Sequence, residues 1–130
     1  MRRWMGQVLG GGWKGRTWSF EEVQAYARTR PAQTFLIDVR EGEEVRSTGL
    51  IPNSHHIPLG ELEAALLDPA RYAAAPAPPH RDASLFVFSC AHGTRAAQAA
   101  RTAQTALGCP HVAVYPGSFS EWQRRTQRAE

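Results

Sequence analysis

Ser84-Leu-Phe-Val-Phe-Ser-Cys-Ala-His-Gly-Thr-Arg95 decides the fold class, because a buried strand passes into a helix within six residues. Ser84–Ser89, apolar from Leu85 to Phe88, has the pattern of a strand covered on both faces. An Ala-rich stretch follows Arg95 and reads as a helix to about Leu107. Gly108 then supplies a left-handed stop. Between strand and helix lies Cys90-Ala-His-Gly-Thr-Arg95. A strand-to-helix unit of this kind belongs to folds in which strands run parallel and helices cover them.

The flanks repeat the pattern. Phe35-Leu-Ile-Asp-Val39 is a second buried run, and Val112-Ala-Val-Tyr115 a third. His55–Ile57 is a short strand fenced by Pro52 and Pro58, neither of which can donate to a sheet ladder. Ser19-Phe-Glu-Glu22 has capping-box spacing and predicts a helix to about Thr29, ended by Pro31. Glu41–Ser47 reads as a short polar helix closed by Gly49. Leu59–Leu67 reads as another helix, and Phe119–Arg128 as a closing one anchored by Trp122. Ala70–Ala75 predicts a further turn, and the prolines from Pro76 to Pro79 a loop. Strand and helix alternate, so an α/β domain with a mainly parallel sheet and helices on both faces is expected. Ligands of such folds bind at the carboxyl ends of the strands. Cys90 stands there.

The 130 residues suit one domain, set at residues 17–130. Residues 1–16 contain three consecutive glycines and read as a disordered extension or a targeting segment. The net charge of +3 is local. Arg2, Arg3, Lys14 and Arg16 lie in the first 20 residues, which hold no acid, and the rest of the chain is slightly acidic. A basic tail of this kind does not point to nucleic acid, which requires basic residues clustered on a folded face. No stretch approaches the roughly 20 apolar residues of a membrane helix. Two cysteines, Cys90 and Cys109, cannot make a disulfide framework, so free thiols in a reduced compartment are expected, cytoplasm or mitochondrion.

The chemistry follows from the strand-to-helix junction. The first four amides of a helix lack internal partners, and its dipole places about half a positive charge at that end. Such a terminus holds anions, and it favours the thiolate form of a nearby cysteine. Gly93 lets the loop turn without a Cβ clash, and Arg95 adds a planar cation suited to an oxyanion. Cys90 is therefore the expected catalytic nucleophile, and Ala91, His92, Gly93, Thr94 and Arg95 the expected substrate-binding loop.

Four segments carry a resemblance to single-domain rhodanese-type thiosulfate sulfurtransferases. Leu36-Ile-Asp-Val-Arg40 is similar to the family's strand ending in D-V-R. Gly49-Leu-Ile-Pro-Asn-Ser-His-His-Ile-Pro58 is similar to its G-x-I-P-x-A-x-N-I-P signature. Cys90–Arg95 is similar to its C-x-x-G-x-R loop, and Tyr115-Pro-Gly-Ser-Phe-Ser-Glu-Trp122 to its G-G-x-x-x-W close. Ser54, His56 and Ser118 depart from the pattern at structural positions, and His92 at one facing the substrate. The resemblance implies a five-stranded sheet and a reaction that needs no metal or organic cofactor. It also implies double displacement through a Cys90 persulfide, from thiosulfate or a persulfide donor to cyanide or a thiol such as glutathione. Two rivals stand beside it. Phosphatases and arsenate reductases use a loop one residue longer, C-x5-R. Non-catalytic interaction modules on the same fold often lack the cysteine. For Asp38 and Arg40 a structural role is expected rather than a catalytic one.

Overall fold

In the computed structural model, residues 12–68 and 83–127 are described. Their strands are β1 (Arg16–Thr17), β2 (Thr34–Asp38), β3 (His55–His56), β4 (Leu85–Ser89) and β5 (Val112–Val114). They form one sheet in the order β1-β5-β4-β2-β3, and every pair is parallel. β2 and β4 pair along their full length, from Thr34 opposite Leu85 to Asp38 opposite Ser89. The expected α/β architecture and parallel sheet are therefore present.

Alternation along β2 and β4 divides the core into two layers. Ile37, Phe86 and Phe88 point to one face, where they pack with Leu62, Ala65 and Leu66 of α3 (Leu62–Leu66). Ala96, Ala97, Ala99 and Ala100 of α4 (Thr94–Arg101) complete that layer. Leu36 and Val87 point to the other face, against Val23 and Tyr26 of α1 (Phe20–Thr29) and Phe119 of α5 (Ser118–Gln127). Each large apolar side chain fully buried this way contributes roughly 1.5–3 kcal/mol. The alanines of α4 allow that helix to lie close against the sheet. The polar helix α2 (Gly42–Thr48) buries no side chain and sits at the end of β2.

The local signals act as expected at most ends. Ser19 caps α1 by accepting the Glu22 amide at 3.2 Å, and the Glu22 carboxylate accepts the Ser19 amide at 2.8 Å. Arg30 leaves α1 in the left-handed conformation, φ 46°, immediately before Pro31, since a residue preceding proline avoids the helical region. Leu59–Glu61 is a 3-10 turn leading into α3. The long Ala-rich helix reaches Ala106, but its last turn, Thr102–Ala106, is π-helical.

At the amino end, the described residues before Thr17 take part in the fold. Trp13 is only 3% exposed and belongs to the core layer beneath α4. Its indole N–H donates to the Arg16 carbonyl at 3.0 Å, and Arg16 and Thr17 pair with Ala113 and Val114 as the fifth strand. A Cβ at Gly15 would collide with the Trp13 ring. One buried indole thus overrides the flexible composition around it. Residues 1–11, the expected turn at Ala70–Ala75 and the proline loop lie outside the described residues.

Candidate active site

The chain moves from β2 to β3 toward one edge of the sheet and from β4 to β5 toward the other. The order therefore reverses between β2 and β4, and the loops leaving their carboxyl ends diverge over a crevice. Arg40 follows β2 at this point, and Cys90 follows β4.

The Cys90 sulfur is nearly enclosed, with the residue 1% exposed. It accepts the Gly93 amide at 3.0 Å and the Ala96 amide at 3.3 Å. Both donors belong to the start of α4, where amides lack helical partners and the dipole is positive. Two N–H groups thus meet the sulfur in place of water. Gly93 makes this geometry available: its φ is 108°, and a Cβ there would stand 2.8 Å from the Pro116 carbonyl oxygen. Any side chain would be strained by the backbone angle and blocked by Pro116.

The segment between β5 and α5 closes the loop from behind. The Cys90 amide donates to Ser118 Oγ at 3.1 Å, the Phe119 amide to the Cys90 carbonyl at 2.8 Å, and the Ser120 amide to the Ala91 carbonyl at 3.1 Å. Tyr115 is buried beside it, and burial with the nearby Glu121 carboxylate pushes its phenol up, so it stays protonated.

Arg40 is 2% exposed and fully engaged. Its guanidinium donates to both Asp38 carboxylate oxygens, to Thr48 Oγ1 at 2.9 Å and to the Gly49 carbonyl at 3.0 Å, and lies 4.2 Å above the Phe119 ring. The structural role expected for Asp38 and Arg40 fits this arrangement: together they tie α2 to the end of β2. His56 Nε2 donates to the Arg40 carbonyl at 2.7 Å. His55 is half-buried against Phe35, and burial lowers its pKa so that the neutral ring is favoured.

Arg95 has a partner from another element. Its guanidinium forks onto Glu44 of α2, with N···O distances of 2.7 and 2.9 Å. The Arg95 hydrogen bonds hold the Glu44 carboxyl at about 2, against an ordinary value of 4.5. Arg95 itself is raised, first by the bond to Glu44 and further by negative charge at Glu44, Cys90 and Glu41, against the opposing effect of burial. The loop's cation is therefore beside the sulfur's field but held by a carboxylate at the rim. His92 and Thr94 are exposed, and Ala91 is half-buried. A cavity of about 310 Å³ opens next to the loop, lined among others by Ala91, His92, Arg40, Glu44, Phe119 and Gln123.

The structure brings Cys90, Gly93 and Ala96 together and pairs Arg95 of the same loop with Glu44. Sequence reasoning missed Ala96, Glu44 and Ser118. Ala96 was legible as a first-turn amide. Glu44 was not, because its partner lies 51 residues away. Among the described residues no three His, Cys, Asp or Glu side chains gather as a metal site, and no helix is long and apolar enough to cross a membrane.

Comparison with known proteins places this geometry in a family. The model of the rhodanese-like domain matches residues 19–125. The Drosophila melanogaster rhodanese domain-containing protein CG4456 is 37% identical over 94 residues, covering 70% of this chain and 83% of that one. The Saccharomyces cerevisiae thiosulfate:glutathione sulfurtransferase is 31% identical over 109 residues, 82% of this chain and 77% of its own. The structure of the human single-domain sulfurtransferase TSTD1 superposes with a TM-score of 0.69 at 32% identity, covering 85% of this chain and 97% of that one. The parallel sheet, the cysteine loop at its switch point and the span of the match together make this chain a member of the rhodanese-like domain family.

Proposed function

We propose that this protein is a sulfurtransferase that moves a sulfane sulfur from thiosulfate, or from a persulfide donor, to a thiol such as glutathione or to cyanide. The observation that carries this reading is the Cys90 sulfur held by the Gly93 and Ala96 amides at the head of α4. These donors stabilise a thiolate before reaction and between turnovers. Support also comes from relatives whose names state thiosulfate and glutathione chemistry.

The reaction runs in two displacements. The Cys90 thiolate attacks the outer sulfur of thiosulfate, the S–S bond of thiosulfate breaks, and sulfite leaves with the bonding electron pair. An acceptor thiolate then attacks the outer sulfur of the Cys90 persulfide. The persulfide S–S bond breaks, the acceptor departs as a persulfide, and Cys90 is again a thiolate. Splitting one transfer into two covalent steps predicts ping-pong kinetics. Ala91, His92, Gly93, Thr94 and Arg95 surround the donor, with Arg95 drawn from Glu44 toward the sulfonate when thiosulfate arrives. The cavity beside Ala91 and His92 is the approach for the acceptor thiol.

Mass spectrometry after mixing with thiosulfate tests the reading. A gain of about 32 Da, one sulfur atom held covalently, is expected on Cys90. Cys90→Ser should show neither that gain nor turnover with glutathione or cyanide. Undiminished turnover in Cys90→Ser would sink the proposal.

A further inference from the structure

Ser118 occupies a backbone position that glycine would fill more easily. Its φ is 55°, in the left-handed region, and the residue is fully buried. Side chains at such angles carry a steric cost that glycine avoids, so the side chain must have work to do there. Its oxygen is the junction of three groups. It accepts the Cys90 amide at 3.1 Å, faces the Tyr115 carbonyl at 2.9 Å, and lies 3.9 Å from the Cys90 sulfur. A serine hydroxyl has one proton and two acceptor sites. Accepting from the Cys90 amide leaves that single proton to choose between the Tyr115 carbonyl and the sulfur.

We infer that Ser118 is a positioning residue for the sulfur of Cys90, its hydroxyl proton turning from the Tyr115 carbonyl to the sulfur when the sulfur is anionic. The inference rests on Cys90 being the nucleophile, as proposed above. Ser118 then supplies a third donor from the head of α5, while the two amides of Gly93 and Ala96 act from the start of α4. Hydrogen bonds to charged groups are the stronger class. The turn of one hydroxyl therefore favours the anion over the neutral thiol. It also ties the sulfur to the closing segment, since the same oxygen holds the Cys90 amide.

Two variants separate this role from backbone geometry. Ser118→Gly removes the hydroxyl and relieves the left-handed backbone; Ser118→Ala removes the hydroxyl and keeps that strain. The measurement is alkylation of Cys90 by iodoacetamide at fixed neutral pH, resolved by peptide so that Cys109 is an internal reference. Thermal melts are run in parallel. The alkylation rate at Cys90 should fall about tenfold in both variants, the scale of one hydrogen bond to a charged group. Their melting temperatures should diverge, the glycine variant standing above the alanine one. With thiosulfate, kcat should fall in both while KM holds. A rise in Cys90 alkylation would mean that Ser118 only keeps the loop closed, and it would overturn the inference. So would a fall in one variant alone, or equal rates in all three proteins. If both variants fall in alkylation and the wild type takes no sulfur from thiosulfate, the sulfurtransferase reading fails and the role of Ser118 stands.

Discussion

Two arginines guard the crevice, and they are held in opposite ways. Arg40, after β2, pairs with a carboxylate two residues away on its own strand end, and both side chains are at most 3% exposed. Every side of its guanidinium is taken, by Asp38, Thr48, Gly49 and the Phe119 ring. Arg95, after β4, pairs with Glu44 from another element, and both side chains are about one-third exposed. The first pair is built before any ligand comes. The second stands at the rim of the cavity, where water screens it and an anion can compete for it. Burial and redundancy of partners thus separate a structural arginine from one available to a substrate.

Breaking the buried pair should have the largest effect. Arg40→Gln leaves Asp38 as an uncompensated buried charge, and the expected loss is about 3–5 kcal/mol in urea unfolding. A loss under about 1 kcal/mol would erase the distinction between the two arginines. Arg95→Ala should cost less than about 1 kcal/mol of stability, as exposed pairs do. Its effect should appear instead in kcat/KM for thiosulfate, which falls about tenfold, the scale of one charge-assisted contact. Unchanged thiosulfate kinetics would remove Arg95 from the donor site. The smallest effect belongs to Glu44→Gln. The Glu44 carboxyl is held at about 2 in the folded protein, so its ionised form is favoured by folding. That stabilisation is whole above the ordinary carboxylate range and is lost as pH falls through about 2. The variant should therefore unfold more easily than the wild type near neutral pH, by no more than about 1 kcal/mol. The gap should close in strong acid; a gap independent of pH would show that ionisation is not its source.

Ser118 and Ser89 extend the contrast to neutral groups. Both are fully buried beside the cysteine. The Ser118 hydroxyl meets Cys90 and Tyr115, whereas the Ser89 hydroxyl has no hydrogen-bond partner among the described residues. The two faces of β4 explain the difference: Ser89 follows Phe88 and precedes Cys90, so its side chain points away from the layer that holds the sulfur.

Much of this was legible in the order of residues. Buried runs at Phe35–Val39 and Ser84–Ser89 read as central strands, because a largely apolar stretch this short has little exposed face to offer. The capping box at Ser19 and the stop at Gly49 mark helix ends through local bonds alone. Cys90 and Gly93 were readable because strand and helix signals bracket them within six residues. The fifth strand was hidden. Two residues among glycines carry no periodic signal, and β1 exists only because Trp13 finds a core and β5 has an open edge.

What the sequence determined by itself is local: where strands and helices lie, which loop joins them, and that a cysteine stands at the head of a helix. Tertiary structure alone decided which partners reach that cysteine from afar. Glu44 meets Arg95 across 51 residues and Ser118 meets Cys90 across 28. Such pairings depend on strand order, because adjacency in a parallel sheet is set by how the crossovers pack and not by distance along the chain.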